Sequence, residues 1–286
     1  MVGKKQFEQI NQLLNARLEQ NKVLIAVHRG AWGGNVIENT IPSFELALQM
    51  GADMFECDLS KSTDGVLFAF HDTYEQRLLK QEANIKTMSS EQIDKLVFQN
   101  SIGEDSGKHV ERFEEILAHF THGELFNVDR AWSILPETDA VLRRYPHAVQ
   151  QAIIKTPVKK EYLDFFQTCP VKYMYMPIAY SMEEVRQVLA YDNINVVGVE
   201  VIAKSADSEM FAEENLRWLR EQGLYVWINS ITLSDHHILS GTYDDDMALR
   251  LGPDSAWGVL MDRGCNVIQT DWPAQLSAYR NQKFGL

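Results

Sequence analysis

The alternation of apolar runs with amphipathic stretches along this chain of 286 residues predicts an α/β fold, a closed (β/α)8 TIM barrel with a small insertion after the second strand. Three observations carry that prediction. Eight short runs rich in β-branched and aromatic residues recur from residue 22 onward, most are followed by a helical pattern, and polar residues stand at or near the C-terminal ends of nearly all of them. The runs are Val23–His28, Met54–Leu59, Leu125–Asp129, Ala152–Lys155, Tyr173–Ile178, Val196–Val201, Leu224–Asn229 and Val267–Asp271. Helical patterns fall at Thr40–Met50, Arg112–Phe120, Glu137–Arg144, Met182–Tyr191, Glu213–Gln222 and Trp257–Arg263. Such alternation builds right-handed βαβ units, and eight of them over about 250 residues are the size of a barrel. A doubly wound open sheet is the competing architecture. Against it, no GxGxxG follows the first run, and the polar ends would converge on one mouth in a barrel but lie strung along an edge in an open sheet.

The remaining segments attach to that frame. Residues 1–21 read as an N-terminal amphipathic helix, with Ile10, Leu13, Leu14 and Leu18 at helical spacing. About fifty residues separate His71 from the third strand, and 74–110 read as a small insertion over the barrel mouth, with a capped short helix at Ser89–Ile93 and a loop at Asn100–His109. No linker or internal repeat appears, so 1–286 is expected to be a single barrel domain.

Composition excludes several function classes. Lys+Arg 27 against Asp+Glu 40 leaves a net charge of −13, which opposes nucleic acid and anionic lipid surfaces. Cys57, Cys169 and Cys265 lie far apart with no CxxC, arguing against a disulfide framework or a structural zinc site. No run approaches a membrane span and the N-terminus lacks a signal peptide's apolar core, so a cytoplasmic protein without stable membrane insertion is expected.

The first run ends in His28-Arg29-Gly30, a proton-transfer group beside a guanidinium fork suited to phosphate, with a glycine that lets backbone approach a ligand. Glu56 and Asp58, one residue apart on a strand, share a face. Two such carboxylates suit a hard divalent cation such as Mg2+ or Ca2+, or else mark an edge strand with solvated acids. Beyond a hairpin at Thr63-Asp64-Gly65, the run Val66–Phe70 returns His71-Asp72 toward the same end. That second imidazole can share acid and base work with the first, or simply cap its turn.

Together His28-Arg29-Gly30, Glu38-Asn39-Thr40, Glu56-x-Asp58, Thr63-x-Gly65 and His71-Asp72 resemble the glycerophosphodiester phosphodiesterase family, in order and approximate spacing. Trp227-Ile228-Asn229 and Thr270-Asp271-Trp272-Pro273 resemble its later motifs, so the likeness spans roughly 23–276. It implies a TIM barrel cleaving a small-molecule phosphodiester of glycerol to glycerol 3-phosphate and an alcohol around a divalent cation. His28 and His71 would then be the acid/base pair, Glu56 and Asp58 metal ligands, Arg29 a phosphate contact and Glu38 a carboxylate near the metal or the glycerol hydroxyls. Asn39 and Thr40 read as caps of the first helix.

The chain departs from the family where the third strand usually ends in Glu-x-Lys. Here the run is Asn127-Val128-Asp129-Arg130-Ala131, so Asp129 keeps a carboxylate on a shorter arm and would be the third metal ligand on this resemblance, with Lys155 on the next strand expected to supply the missing positive charge. Trp227 is expected as an apolar wall against the glycerol backbone, and Glu200 as a hydroxyl contact or a partner of Lys155. A phospholipase D-like lyase and a non-catalytic phosphate-binding barrel are the alternatives. Asp244-Asp245-Asp246 reads as a helix opening, not a metal cluster.

Overall fold

The computed structural model describes residues 1–234 and 236–286. Eight parallel strands close on themselves: β1 (Leu24–Val27), β2 (Met54–Lys61), β6 (Leu125–Asp129), β7 (Ala152–Pro157), β8 (Met174–Ala179), β9 (Gly198–Val201), β10 (Tyr225–Asn229) and β11 (Val267–Thr270). The strands β3 (Leu67–Ala69), β4 (Val97–Gln99) and β5 (Asp105–His109) stand outside the ring. Closure is made by β1, which pairs with β11 on one side and with β2 on the other, so the open-sheet alternative and the edge-strand reading of Glu56 and Asp58 both fall.

Side-chain parity explains why the ring forms. Ile25, Val27, Phe55, Cys57, Phe126, Val128, Val226 and Ile268 point outward into a continuous apolar layer with the helices. Leu24, Ala26, Met54, Leu125, Ile153, Met174, Tyr225 and Val267 fill the barrel interior, which Leu14 of the helix Glu8–Asn21 plugs from below. Continuing inward and upward along the same strands, the apolar filling gives way to Glu56, Asp58, Asn127, Asp129, Lys155, Glu200, Asn229 and Gln269, all but Asp129 buried. A core that turns polar toward the C-terminal ends of its strands is where a barrel carries its chemistry. Gly198 is required by this packing, because a Cβ there would meet the Tyr225 ring at 2.1 Å.

Local signals set the element ends. Ser89 and Gln92 form a reciprocal capping box on Ser90–Ile93, and Asp244 accepts the Met247 N–H at 2.8 Å to open Asp245–Leu251, as the sequence leads one to expect. The Thr63–Gly65 turn reverses β2 into antiparallel β3. The Asn100–His109 loop needs correction, since 105–109 form β5 and pair with β4. That strand is almost wholly exposed and carries no apolar alternation, so only its pairing reveals it. The hairpin is tied to the loop after β1, where Ser101 N–H donates to the Gly34 carbonyl at 3.0 Å and Asn100 to Asn35 at 2.9 Å. Helices form at Phe113–His119, Leu135–Leu142, Met182–Leu189, Glu213–Glu221 and Trp257–Asp262, within or close to the expected helical patterns, and also at Glu75–Leu79, Lys160–Thr168 and Pro273–Phe284. Among the described residues no helix is long and apolar enough to cross a membrane.

A half-buried acid fixes the first barrel helix. Glu111 accepts the Ile41 N–H at 2.6 Å at the start of Ile41–Gln49, and burial pushes its carboxyl up to about 7. The folded state therefore keeps a proton that the unfolded chain releases near 4.5, and stability declines as pH rises through that window. Glu111→Gln keeps an acceptor and removes the titration. Its urea midpoint should fall less between about pH 5 and pH 7 than that of the wild type, and parallel pH slopes would contradict this.

Candidate active site

Register brings the predicted residues to one mouth. Val27 pairs with Phe55, so His28 follows β1 beside Glu56, and the Phe70 N–H donates to the Asp58 carbonyl at 3.0 Å, so His71 follows beside Asp58. Asp58 in turn pairs with Asp129 across β2 and β6. Carboxylate oxygens of Glu56, Asp58 and Asp129 lie within 4.8 Å of one another. Burial first, and then the Asp58 and Asp129 charges, push the Glu56 carboxyl well above the usual range. This is the mark of carboxylates drawn together with too little positive charge among them. Three hard oxygen donors in that state fit a divalent cation such as Mg2+ or Ca2+.

Cations border the cluster. Lys155, 4% exposed, places Nζ 2.9 Å from Asp129 and 3.1 Å from Glu200, and burial is outweighed by these acids, which hold the ammonium above its usual range. The same ammonium keeps Asp129 below the carboxylate range against the cost of burial. Of the two readings of Glu200, the geometry shows the pairing with Lys155, steadied by an Asn229 amide donor at 2.8 Å. Arg29 adopts a left-handed backbone (φ 57°), donates its N–H to Glu56 at 2.9 Å and an Nη1–H to Glu38 at 2.9 Å, and brings Nε 3.1 Å from Asp58 without alignment for a hydrogen bond. Strain of this kind persists only where surroundings over-determine it. The carboxylates more than offset burial and raise the guanidinium further above its usual range.

Four expectations are corrected by this arrangement. Glu38 stands outside the acidic cluster, because Arg29 takes one oxygen and Arg77 the other at 2.7 Å. Trp227 is fully buried, with Nε1–H bonded to Asn229 at 2.7 Å and its ring 5.8 Å beneath Lys155 Nζ, so it is the floor under the ammonium and presents no wall to a ligand. Gly30 serves packing, since a Cβ there would meet the Ser43 backbone at 2.7 Å. Asn39 braces Asp58 instead of capping a helix, donating Nδ2–H to its carboxylate and accepting its N–H, each at 3.0 Å.

The two histidines differ in their partners. His71 Nδ1 lies 2.6 Å from the Asp72 carbonyl, which fixes Nδ1 as the protonated nitrogen, and Tyr74 meets the ring edge-on. Burial, with Arg29 and Arg130 opposing the Asp58 charge, lowers the imidazole below its ordinary value. Asp72 is clamped by Lys86 at 2.6 Å and Arg130 at 2.8 Å, tying the insertion to the end of β6. His28 Nδ1 instead faces the Asp271 carboxylate at 3.2 Å. Sequence reasoning assigned no role to Asp271, Asn229, Tyr74 or Arg77. The first two lie inside recognised motifs, whereas the others carry no signal of their own.

A family model described as the glycerophosphoryl diester phosphodiesterase family matches residues 28–227, more than half of the chain and all of the acidic cluster. The chain belongs to this family. A second model, for a domain of unknown function, matches 175–280. A glycerophosphodiester phosphodiesterase of Bacillus subtilis is 26% identical over 73% of this chain and 76% of its own length. One from Caldanaerobacter subterraneus is 40% identical over 26% of this chain. The matches span only 30%, 40% and 53% of three such relatives. Among solved structures, a glycerophosphoryl diester phosphodiesterase from Parabacteroides distasonis superposes with a TM-score of 0.77 at 18% identity, over 96% of this chain and 92% of that one. An Oleispira antarctica phosphodiesterase in complex with the product sn-glycerol-3-phosphate does so with 0.61 at 16%, over 89% and 95%. Identities this low show a shared fold.

Proposed function

We propose that this protein hydrolyses glycerophosphodiesters to glycerol 3-phosphate and an alcohol, with Glu56, Asp58 and Asp129 holding a divalent cation. The observation that carries the reading is the convergence of those three carboxylates within 4.8 Å, with His28 and His71 following the adjoining strand positions. Family membership and the product bound by the Oleispira antarctica structure support the substrate class. When bound, the cation polarises phosphoryl oxygens and offsets the charge that grows on them in the transition state. Arg29 and Lys155 add fixed positive charge in a buried site, where it acts with little screening.

His71 is read as the base. Its Nδ1–H is committed to the Asp72 carbonyl, leaving the Nε2 lone pair to take a proton from the attacking water. His28 is read as the acid that gives a proton to the leaving alcohol oxygen as its bond to phosphorus breaks. Diester and water are consumed, and glycerol 3-phosphate and alcohol are formed. Both ring nitrogens then exchange their protons with solvent to reset the pair.

A lyase acting on lipid phosphodiesters, through attack by a substrate hydroxyl to give a cyclic phosphate, keeps one observation in its favour. Large apolar side chains are exposed in loops beyond the C-terminal ends of β1, β8, β10 and β11, namely Trp32, Tyr180, Leu233 and Trp272. Calorimetric titration with Mg2+ and Ca2+, paired with turnover of glycerophosphocholine and lysophosphatidylcholine before and after chelation, tests the proposal. Glu56→Gln should weaken metal binding by at least about tenfold and lose turnover with it. Chelator-resistant turnover would contradict the metal site, and preference for the lysolipid would favour the lyase.

A further inference from the structure

The acid Asp245 is buried and unused by the reaction described above, yet its hydrogen bonds lead to a reacting histidine. It is 1% exposed, and no salt bridge reaches it among the described residues. Its carboxylate accepts from Trp257 Nε1–H at 2.9 Å, from Thr270 Oγ1–H at 2.9 Å and from the Asp271 N–H at 2.9 Å, while its own N–H donates to the Ser230 carbonyl at 2.7 Å. One residue thereby joins the end of β10, through its backbone N–H, to the helix Trp257–Asp262 and the end of β11, through its side chain. Burying an acid in such a place is costly, and the three donors that converge on Asp245 offset that cost. What the carboxylate does is receive the N–H of the very residue whose side chain faces His28. Asp271 is 36% exposed on its side chain, so packing alone does not hold it.

We propose that Asp271 is a positioning residue that fixes His28 by its Nδ1–H, and that Asp245 is the buried strut that keeps Asp271 in place. The pairing at 3.2 Å leaves Nε2 as the nitrogen of His28 without a protein partner among the described residues. A carboxylate behind one ring nitrogen selects the tautomer and the ring orientation with which the other works. This inference rests on the reading of His28 as a proton-transfer group.

The test compares Asp271→Asn, Asp271→Glu, Asp245→Asn and His71→Ala with wild type, using glycerophosphocholine turnover and nitrogen-15 NMR of the imidazoles. Asp271→Asn should lower kcat by about a hundredfold or more, with KM unchanged within about twofold, and Asp271→Glu should recover part of the loss. Once its Nε2 proton has been given up, wild-type His28 should keep the Nδ1–H form, and Asp271→Asn should shift the neutral ring toward Nε2–H. Asp245→Asn should give a smaller loss of kcat in the same direction, and if that variant does not fold, the Asp271 variants still decide the pairing. Full turnover and an unchanged His28 tautomer in Asp271→Asn, alongside an inactive His71→Ala, would overturn this proposal and spare the phosphodiesterase reading. If wild type turns over no diester with either metal, that reading fails, and the tautomer comparison alone upholds or overturns the pairing.

Discussion

Lys155→Met should lower kcat/KM for a glycerophosphodiester by about a thousandfold and also destabilise the protein, because one ammonium serves two buried acids. Asp129 and Glu200 lie 2.9 Å and 3.1 Å from it, and the Trp227 ring beneath excludes water from that side. Removing the cation strands both carboxylates, a change that costs about 3–5 kcal/mol where a buried pair is broken from one side. It also removes a charge that restrains the rise of the Glu56 carboxyl, so the cluster holds a proton more tightly and competes less well for a cation. The double variant Lys155→Met/Glu200→Gln separates the two effects. It relieves one stranded acid and should recover part of the stability in urea unfolding with little of the turnover. Lys155→Met activity within about tenfold of wild type would mean that Lys155 on β7 does not supply the positive charge expected where the resemblance places Glu-x-Lys.

The second large effect lies at the opposite end of the barrel. The side chain of Asp53, just before β2, is buried with that of Arg280 of the C-terminal helix, whose Nη1–H it accepts at 2.5 Å. It also accepts the Ile25 N–H of β1 at 2.8 Å and a short hydrogen bond from Asn21 at the end of the N-terminal helix. Four parts of the chain meet at one carboxylate. Burial pushes Asp53 upward against the opposing pull of Arg280, so Arg280→Ala leaves it buried with its main counter-charge gone. The expected loss is about 3–5 kcal/mol, or roughly 10 °C in Tm. Asp53→Asn/Arg280→Met, which removes both charges, should cost less than Arg280→Ala alone. Turnover per folded molecule should be unchanged, since the pair is remote from the mouth. A loss below about 1 kcal/mol would place the pair among ion pairs that contribute little.

The barrel was legible because its signal is repeated. Each inner strand alternates sides, and nearly all carry a polar residue at or near the C-terminal end, so eight weak local patterns reinforce one topology. The insertion hairpin was not, because exposed β5 has no buried face to leave a pattern. Site residues fixed by their own strand, such as Glu56, Asp58, Asp129 and Lys155, came together as their parity requires. Those fixed by remote partners did not follow from sequence. Glu38 is taken by Arg77, 39 positions away, and Asn39 by Asp58, 19 positions away, neither of which any local spacing announces. Asp245 sits inside an acidic run that reads correctly as a helix opening, yet its side chain turns inward while Asp244 does the capping. Whether Trp227 lines a mouth or floors it depends on how far up the barrel the polar layer begins, a question of packing depth that strand parity leaves open.

On the proposed function, this acidic, two-histidine mouth hydrolyses glycerophosphodiesters. Phosphorus-31 NMR of glycerophosphocholine incubated with wild type and with His71→Ala, in Mg2+ or Ca2+, tests it most directly. Growth of the glycerol 3-phosphate resonance with wild type, slowed at least about a thousandfold in His71→Ala, is the predicted result. Equal rates in the two proteins, phosphocholine as the product, or no product with either metal would contradict it.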